Sequence, residues 1–135
     1  GAIARSAVCL GADGIVIPRH NSAEVNHTVM KTSSGAVSYI SIARETNLSN
    51  SLEYLKNNGY WIFGTEINAQ KSIFEIDMLM PSAIIIGSEG KGIRKVLLEK
   101  CDHLVRIPMA GKISSLNASV SAAVFLYEAF RQKNH

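Results

Sequence analysis

Apolar and polar positions along the chain switch repeatedly between a helical period and short apolar runs. Ala2 to Leu10, small residues ended by Gly11, predicts a helix, and Ile15-Val16-Ile17 after Gly14 predicts a strand stopped by Pro18. Ser22 can cap a helix over Glu24 to Lys31, and the polar run Thr32-Ser33-Ser34-Gly35-Ala36 turns into a strand from Val37 to Ala43. Leu48, Leu52 and Leu55 recur at i, i+4 and i+7, a helix opened by Asn47 or Asn50 and closed by Gly59 at its C′ position. Tyr60-Trp61-Ile62-Phe63 reads as a buried strand running into Gly64-Thr65-Glu66, with Trp61 taken as core. Ile67 to Met80 carry no clear period and are read as a loop with a short helix before Pro81.

The second half is sharper. Ala83-Ile84-Ile85-Ile86 has the composition of a strand buried on both faces, and Gly87-Ser88-Glu89-Gly90-Lys91-Gly92 breaks it before a helix with Ile93, Val96, Leu97 and Cys101. Leu104-Val105-Arg106-Ile107 is a further strand ended by Pro108, and a long helix runs from about Ser114 to Lys133. That helix has one apolar face at Leu116, Val120, Ala123, Tyr127 and Phe130 and another at Ala118, Ala122, Phe125 and Ala129, so burial on two sides is expected, one side by the sheet and the other, with Phe125 and Ala129, by a partner subunit. The fold class is α/β, a mostly parallel sheet of about five or six strands with helices on both faces. The pattern opens on a helix with no strand ahead of it, which suggests a fragment whose first strand lies upstream.

In such sheets ligands bind beyond the carboxyl ends of the strands. Three loops fall there: Gly64-Thr65-Glu66, Gly87 to Gly92, and Pro108 to Asn117. The middle loop has glycines that let a ligand approach the backbone, followed by the unpaired N–H groups of a helix start. Its order, G-x-x-G-x-G, is neither a dinucleotide fingerprint nor a P-loop, so it does not by itself name a ligand. Glu89 either caps the following helix or holds a hydrogen-bond donor, and Ser114, Ser115 and Asn117, taken alone, could simply cap the last helix.

Composition adds boundaries. At 135 residues, 47% hydrophobic and 19% charged, the chain fits one globular domain with a proper core. No apolar run reaches membrane-spanning length and the first residues lack a signal peptide's layout, so a soluble, cytoplasmic protein is expected. Cys9 and Cys101 have no metal-ligand or CxxC spacing and are read as reduced core residues; no metal is expected, and His20, His27, His103 and His135 are too scattered to form a ligand set. The net charge of +3 permits a polyanionic partner without requiring one.

Three segments together carry a family resemblance. Gly1-Ala2-Ile3-Ala4-Arg5-Ser6-Ala7, Ile86-Gly87-Ser88-Glu89-Gly90-Lys91-Gly92-Ile93, and Ile107-Pro108-Met109 leading to Ser115-Leu116-Asn117-Ala118-Ser119-Val120-Ser121-Ala122-Ala123 resemble the three motifs of the SpoU (TrmH-type) RNA 2′-O-ribose methyltransferases of the SPOUT superfamily. The resemblance covers the whole chain. It implies a C-terminal trefoil knot, S-adenosylmethionine held by the knotted loops, a homodimer formed through the first and last helices, and methyl transfer to a ribose 2′-hydroxyl of rRNA or tRNA. Gly14-Ile15-Val16-Ile17-Pro18 and Lys31-Thr32-Ser33-Ser34-Gly35-Ala36 bring it nearest to the 23S rRNA guanosine methyltransferases of the RlmB kind. Members usually carry an Asn two residues before the position of Gly1, and many an N-terminal RNA-binding domain, so residues 1–135 read as a catalytic domain clipped inside its first motif.

What the resemblance implies for single residues can be set beside their chemistry. Arg5 is the family's catalytic arginine; because a guanidinium keeps its proton, a clamp on phosphate and on the developing alkoxide suits it better than a basic role. Glu89 orders the site or contacts Arg5 across the dimer, while Ser115 and Asn117 face ligand or RNA with Ser119 supporting them. The cofactor is expected mainly against backbone at Gly64, Thr65, Ile86, Gly87, Gly90, Ile107, Met109 and Leu116. Lys91, Arg94, Lys95 and Lys112 form a candidate patch for RNA backbone. Two other classes stand against this reading: a noncatalytic RNA-binding module on the same fold, disfavoured by Arg5 together with Asn117, and a dinucleotide enzyme, disfavoured by the glycine order.

Overall fold

A computed structural model describes residues 2–19, 27–33, 40–88, 91–111 and 116–134. The elements are α1 (Ala2–Cys9), β1 (Gly14–Pro18), β2 (Thr28–Thr32), β3 (Ser41–Glu45), α2 (Leu48–Asn57), β4 (Trp61–Thr65), β5 (Lys71–Ser72), a 3-10 turn (Ile73–Glu75), β6 (Ser82–Ile86), α3 (Lys95–Leu98), β7 (His103–Arg106) and α4 (Ala118–Lys133). Seven strands form one sheet in the order β3-β1-β2-β6-β4-β7-β5. Only β2 runs against its neighbours β1 and β6; the other pairs are parallel. The α/β class with a mostly parallel sheet and helices on both faces is therefore observed, with seven strands rather than five or six.

Strand β6 lies at the centre of the order, and its five residues are all buried. Ile84 and Ile86 point into a core beneath α1 and α4, with Phe63, Phe125 and Leu126, while Ala83 and Ile85 point into a second core with Leu48, Leu52 and Leu55 of α2 and Leu97 of α3. A polar side chain could occupy none of these positions cheaply; each isoleucine removed from water contributes about 1.5–3 kcal/mol. Helix α2 begins where Asn47 accepts a hydrogen bond from the Asn50 backbone N–H and ends before Gly59, whose φ of 88° satisfies the left-handed turn that leads into β4.

Several expectations are corrected. The helix over Glu24 to Lys31 is not formed: Thr28–Thr32 are strand β2, with Val29 and Met30 buried against β6, and residues 20–26, Ser22 among them, lie outside the described residues. The third strand sits at Ser41–Glu45 instead of Val37 to Ala43, whose first three residues are also outside the described set. The stretch from Ile67 to Met80 includes the short edge strand β5 and a 3-10 turn with a Ser72–Glu75 capping box. The helix from Ile93 to Cys101 shrinks to a single turn, Lys95–Leu98. Trp61 is 45% exposed and stacks on His103, so it is not core, and Cys9 is exposed.

The last helix also departs from expectation. Ala122, Phe125, Leu126 and Ala129 form its core face, and Phe125 is fully buried, so the face with Phe125 belongs to this chain's own interior. The face left over is the one with Val120, Ala123 and Tyr127. Its C-terminal end is latched: the Gln132 side chain accepts from the Met78 N–H at 2.6 Å and donates to the Ile76 carbonyl at 3.0 Å.

Candidate cofactor and RNA site

Parallel pairing brings the carboxyl ends of β4, β6 and β7 level with one another, Thr65 opposite Val105 and Gly64 opposite Ile85. Beyond them opens a cavity of about 390 Å³, within the range of small-molecule sites. Its apolar lining comes from Ile86, Val105, Ile107, Met109, Leu116 and Phe125, and its polar lining from Thr65, Glu66, Ser88, Lys91, Arg106 and Ser121.

The glycine loop is pinched shut by a two-residue bridge. The Gly92 N–H donates to the Ser88 carbonyl at 2.9 Å and the Ser88 N–H returns to the Gly92 carbonyl at 3.3 Å. Gly92 has a φ of 70°, a conformation that L side chains avoid. Gly87 is required for a different reason: a Cβ there would stand 2.5 Å from the Gly92 carbonyl carbon and 2.8 Å from the Ile93 nitrogen. Below the loop, the Arg94 N–H donates to Nε2 of buried His27 at 3.2 Å, which ties the loop's exit to the start of β2. His27 thus has a structural role that its sequence position did not show.

The other wall is the turn after β4. The Glu66 N–H donates to the Val105 carbonyl at 2.9 Å, Glu66 Oε1 accepts from the Asn68 N–H at 3.3 Å, and Arg106 Nη1 donates to the carbonyls of Ala69 at 3.2 Å and Gln70 at 2.8 Å. Arg106 therefore clasps the turn that carries Glu66. The signal in the sequence was a charge near the end of an otherwise apolar strand, Leu104-Val105-Arg106-Ile107.

Of the residues expected at a cofactor, Thr65, Ile86, Gly87, Ile107, Met109 and Leu116 line this one cavity. Gly64 does not; it is buried in β4, where a Cβ would strike Cys101 Sγ at 2.5 Å, so its glycine serves packing. Ser119 lines a separate groove between α1 and α4 and donates to Asn117 Oδ1 at 3.0 Å. Asn117 is exposed and caps α4, accepting from the Val120 N–H at 2.9 Å. Arg5 is exposed on α1 and does not line the cavity. Glu89, Gly90, Lys112 and Ser115 lie outside the described residues.

Burial first, and the neighbouring Asp102 charge second, push the Cys101 thiol up to about 12, so it stays protonated at neutral pH and offers no nucleophile. Among the described residues no three His, Cys, Asp or Glu side chains gather as a metal site, and no helix is long and apolar enough to cross a membrane.

With the cap on Asn117 visible, its energetic share can be predicted. Asn117→Ala should lower unfolding free energy by about 1 kcal/mol, read as a shift of the urea midpoint, because the first turn of α4 loses the acceptor of the Val120 N–H. An unchanged midpoint would mean that the cap adds nothing.

A cavity bounded by a glycine loop at the carboxyl edge of a mostly parallel sheet is common to many α/β proteins, and comparison with known families distinguishes among them. The SpoU rRNA Methylase family matches residues 1–127. The chain belongs to this family. It is 47% identical over 135 residues to a Staphylococcus saprophyticus protein named as a TrmH family tRNA/rRNA methyltransferase, spanning 100% of this chain and 54% of that one. The SpoU methyltransferase AviRb of Streptomyces viridochromogenes, solved in complex with AdoMet, superposes with a TM-score of 0.78 at 28% identity, covering 97% of this chain and 54% of AviRb. A solved RNA 2′-O-ribose methyltransferase gives 0.76 at 32% identity, covering 97% and 50%. Residues 1–135 thus span about half the length of the curated relatives they match.

Proposed function

We propose that this chain is the catalytic domain of an S-adenosylmethionine-dependent RNA methyltransferase that modifies a ribose 2′-hydroxyl. One observation carries the reading: the SpoU family match and the cavity coincide, since the second motif forms the pinched glycine loop and the third supplies Ile107, Met109 and Leu116 to the same wall. The residues present fit the cofactor. An apolar slot between Ile86, Val105, Ile107 and Leu116 suits an adenine ring, the strand ends that border it offer backbone donors and acceptors to its edge, and the Gly92 and Ile93 backbone leaves no room for a side chain at Gly87.

When bound, S-adenosylmethionine supplies an already activated methyl group, so the protein's task is to place the 2′-oxygen and to help it lose its proton. In this proposal Arg5 clamps a phosphate and stabilises the developing alkoxide, with a neighbouring RNA phosphate available as proton acceptor. Lys91 at the cavity rim and Lys95 on α3 are exposed and suit contacts with RNA backbone. Asn117, with its amide nitrogen not committed to the cap, and the third-motif Ser115 are assigned to the RNA side, and Glu89 to ordering the loop. The narrower target, a guanosine of 23S rRNA, rests on the likeness of the β1 and β2 segments to the RlmB kind.

Two further parts belong to the same proposal. One is the family's trefoil knot, taken from the resemblance, in a sheet where β7 is inserted between β4 and β5, both earlier in the chain. A homodimer through α1 and α4 is favoured by the groove of about 610 Å³ between them, where Val120 is 42%, Tyr127 57% and Phe74 82% exposed. Because Arg5 does not line the cavity of its own chain, a second copy is the natural source of the arginine at each cofactor site.

Calorimetry with S-adenosylhomocysteine and NAD side by side tests the cofactor. Micromolar binding of the first and none of the second is expected; the reverse would restore the dinucleotide reading. In the intact protein, Arg5→Ala should lower methyl transfer by about a hundred- to thousandfold while S-adenosylhomocysteine affinity stays nearly unchanged. Equal weakening of both would move Arg5 to the cofactor side.

A further inference from the structure

We infer that Glu66 is a specificity determinant of the nucleoside pocket, its carboxylate accepting hydrogen bonds from the ribose hydroxyls of the methyl donor. The inference rests on the cofactor reading above and adds to it a side chain outside the three family motifs.

Among the described residues, Glu66 is the one carboxylate lining the cavity. It makes no ion pair with Arg106, the basic residue beside it in the lining: the Arg106 guanidinium is turned to the carbonyls of Ala69 and Gln70. One carboxylate oxygen, Oε1, accepts from the Asn68 N–H, which fixes the side chain on its own turn. A carboxylate has room for several donors, so the second oxygen retains its accepting capacity. The turn is held twice over, by Arg106 and by the Glu66 N–H on Val105, so the carboxylate is placed before any ligand arrives.

Its position selects the group it would meet. Through that backbone bond Glu66 directly adjoins Val105, part of the apolar wall suited to the base. The ribose is bonded to the base, so its hydroxyls are the ligand's polar groups nearest that wall, and both can donate. The cationic Lys91, on the glycine loop, is instead matched to anionic groups, the amino-acid carboxylate or RNA phosphate. A Cβ at Gly87 would strike the backbone of Gly92 and Ile93, so the glycine loop offers no side-chain acceptor at that position.

The test is calorimetry on the unaltered protein and E66Q with three probes: S-adenosylhomocysteine, 5′-methylthioadenosine, which lacks the amino acid, and a 2′,3′-dideoxy analogue of that nucleoside. Glutamine can keep the acceptor for the Asn68 N–H, so the turn should persist, and an unchanged thermal midpoint would confirm this. E66Q should weaken the first two probes by a similar factor, about tenfold for loss of a charge-assisted bond, while the dideoxy analogue, weak from the start, should not respond. E66A, tested alongside, should weaken them at least as much. Unchanged affinity in both variants would overturn the inference while leaving the cofactor reading intact. So would weakening confined to S-adenosylhomocysteine, which would place Glu66 against the amino group, or an equal loss for the dideoxy probe. Failure of the unaltered protein to bind any of the three would overturn the cofactor reading and this inference together.

Discussion

Gly87→Val is expected to abolish S-adenosylhomocysteine binding while leaving a folded protein. Even the first added carbon would sit 2.5 Å and 2.6 Å from the Gly92 carbonyl atoms and 2.8 Å from the Ile93 nitrogen, and all three are backbone that cannot swing aside as a side chain would. The loop must then open, breaking the Ser88–Gly92 bridge and displacing one wall of the cavity. Overpacking of this kind costs about 1–3 kcal/mol, and most of it can be relieved locally because α3, just beyond, is a single turn. Circular dichroism should show a folded chain with a lowered thermal midpoint, and calorimetry no heat of binding. Unchanged affinity would mean that the glycine loop is a turn and not a wall of the site.

The second large effect separates the two faces of α4. Phe125 is fully buried with Ile84, Ile86 and Leu126, so Phe125→Ala should cost about 3–5 kcal/mol in stability. Tyr127 is exposed in the groove beside α1, so Tyr127→Glu should leave the monomer's stability within about 0.5 kcal/mol yet dissociate a dimer formed there, by placing a charge in an apolar contact. Sedimentation of the unaltered protein at micromolar concentration should give a dimer and the Tyr127→Glu variant a monomer. A clean monomer before any substitution would remove the dimer, and with it the supply of Arg5 from a second copy.

The contrast between these two residues shows where the sequence was readable. Both apolar faces of α4 were visible in its periodicity, but which one meets the sheet depends on where the helix lies, and periodicity is blind to that. Strand β6 and its glycine loop were legible because Ile84-Ile85-Ile86 followed by Gly87 leaves few alternatives. Strand β2 was misread as helix because Val29 and Met30 are its only fully apolar pair, and their burial comes from β6, 55 or so residues later in the chain. A partner distant in sequence also decided Gly64, read as a cofactor contact and found packed on Cys101.

At the site, six of the residues expected around a cofactor meet in one cavity, because strand ends and glycines are marked locally. Glu66 and Arg106 were not singled out. Each looks like an ordinary charged residue at a strand end, and only the hydrogen bonds from Arg106 to Ala69 and Gln70 reveal that they build one wall together. His27 is the same kind of case, a histidine isolated in the sequence that accepts from the Arg94 N–H in the fold.

The most direct measurement is made on the intact protein, with S-adenosylmethionine carrying a deuterated methyl group and ribosomal RNA and tRNA from cells lacking its gene. The RNA is then digested and its nucleosides are read by mass spectrometry. The account predicts label on one ribose, as a 2′-O-methylnucleoside, and loss of that label in the Arg5→Ala protein. Label on a base, or no label in either RNA from a protein that binds S-adenosylhomocysteine, would contradict it.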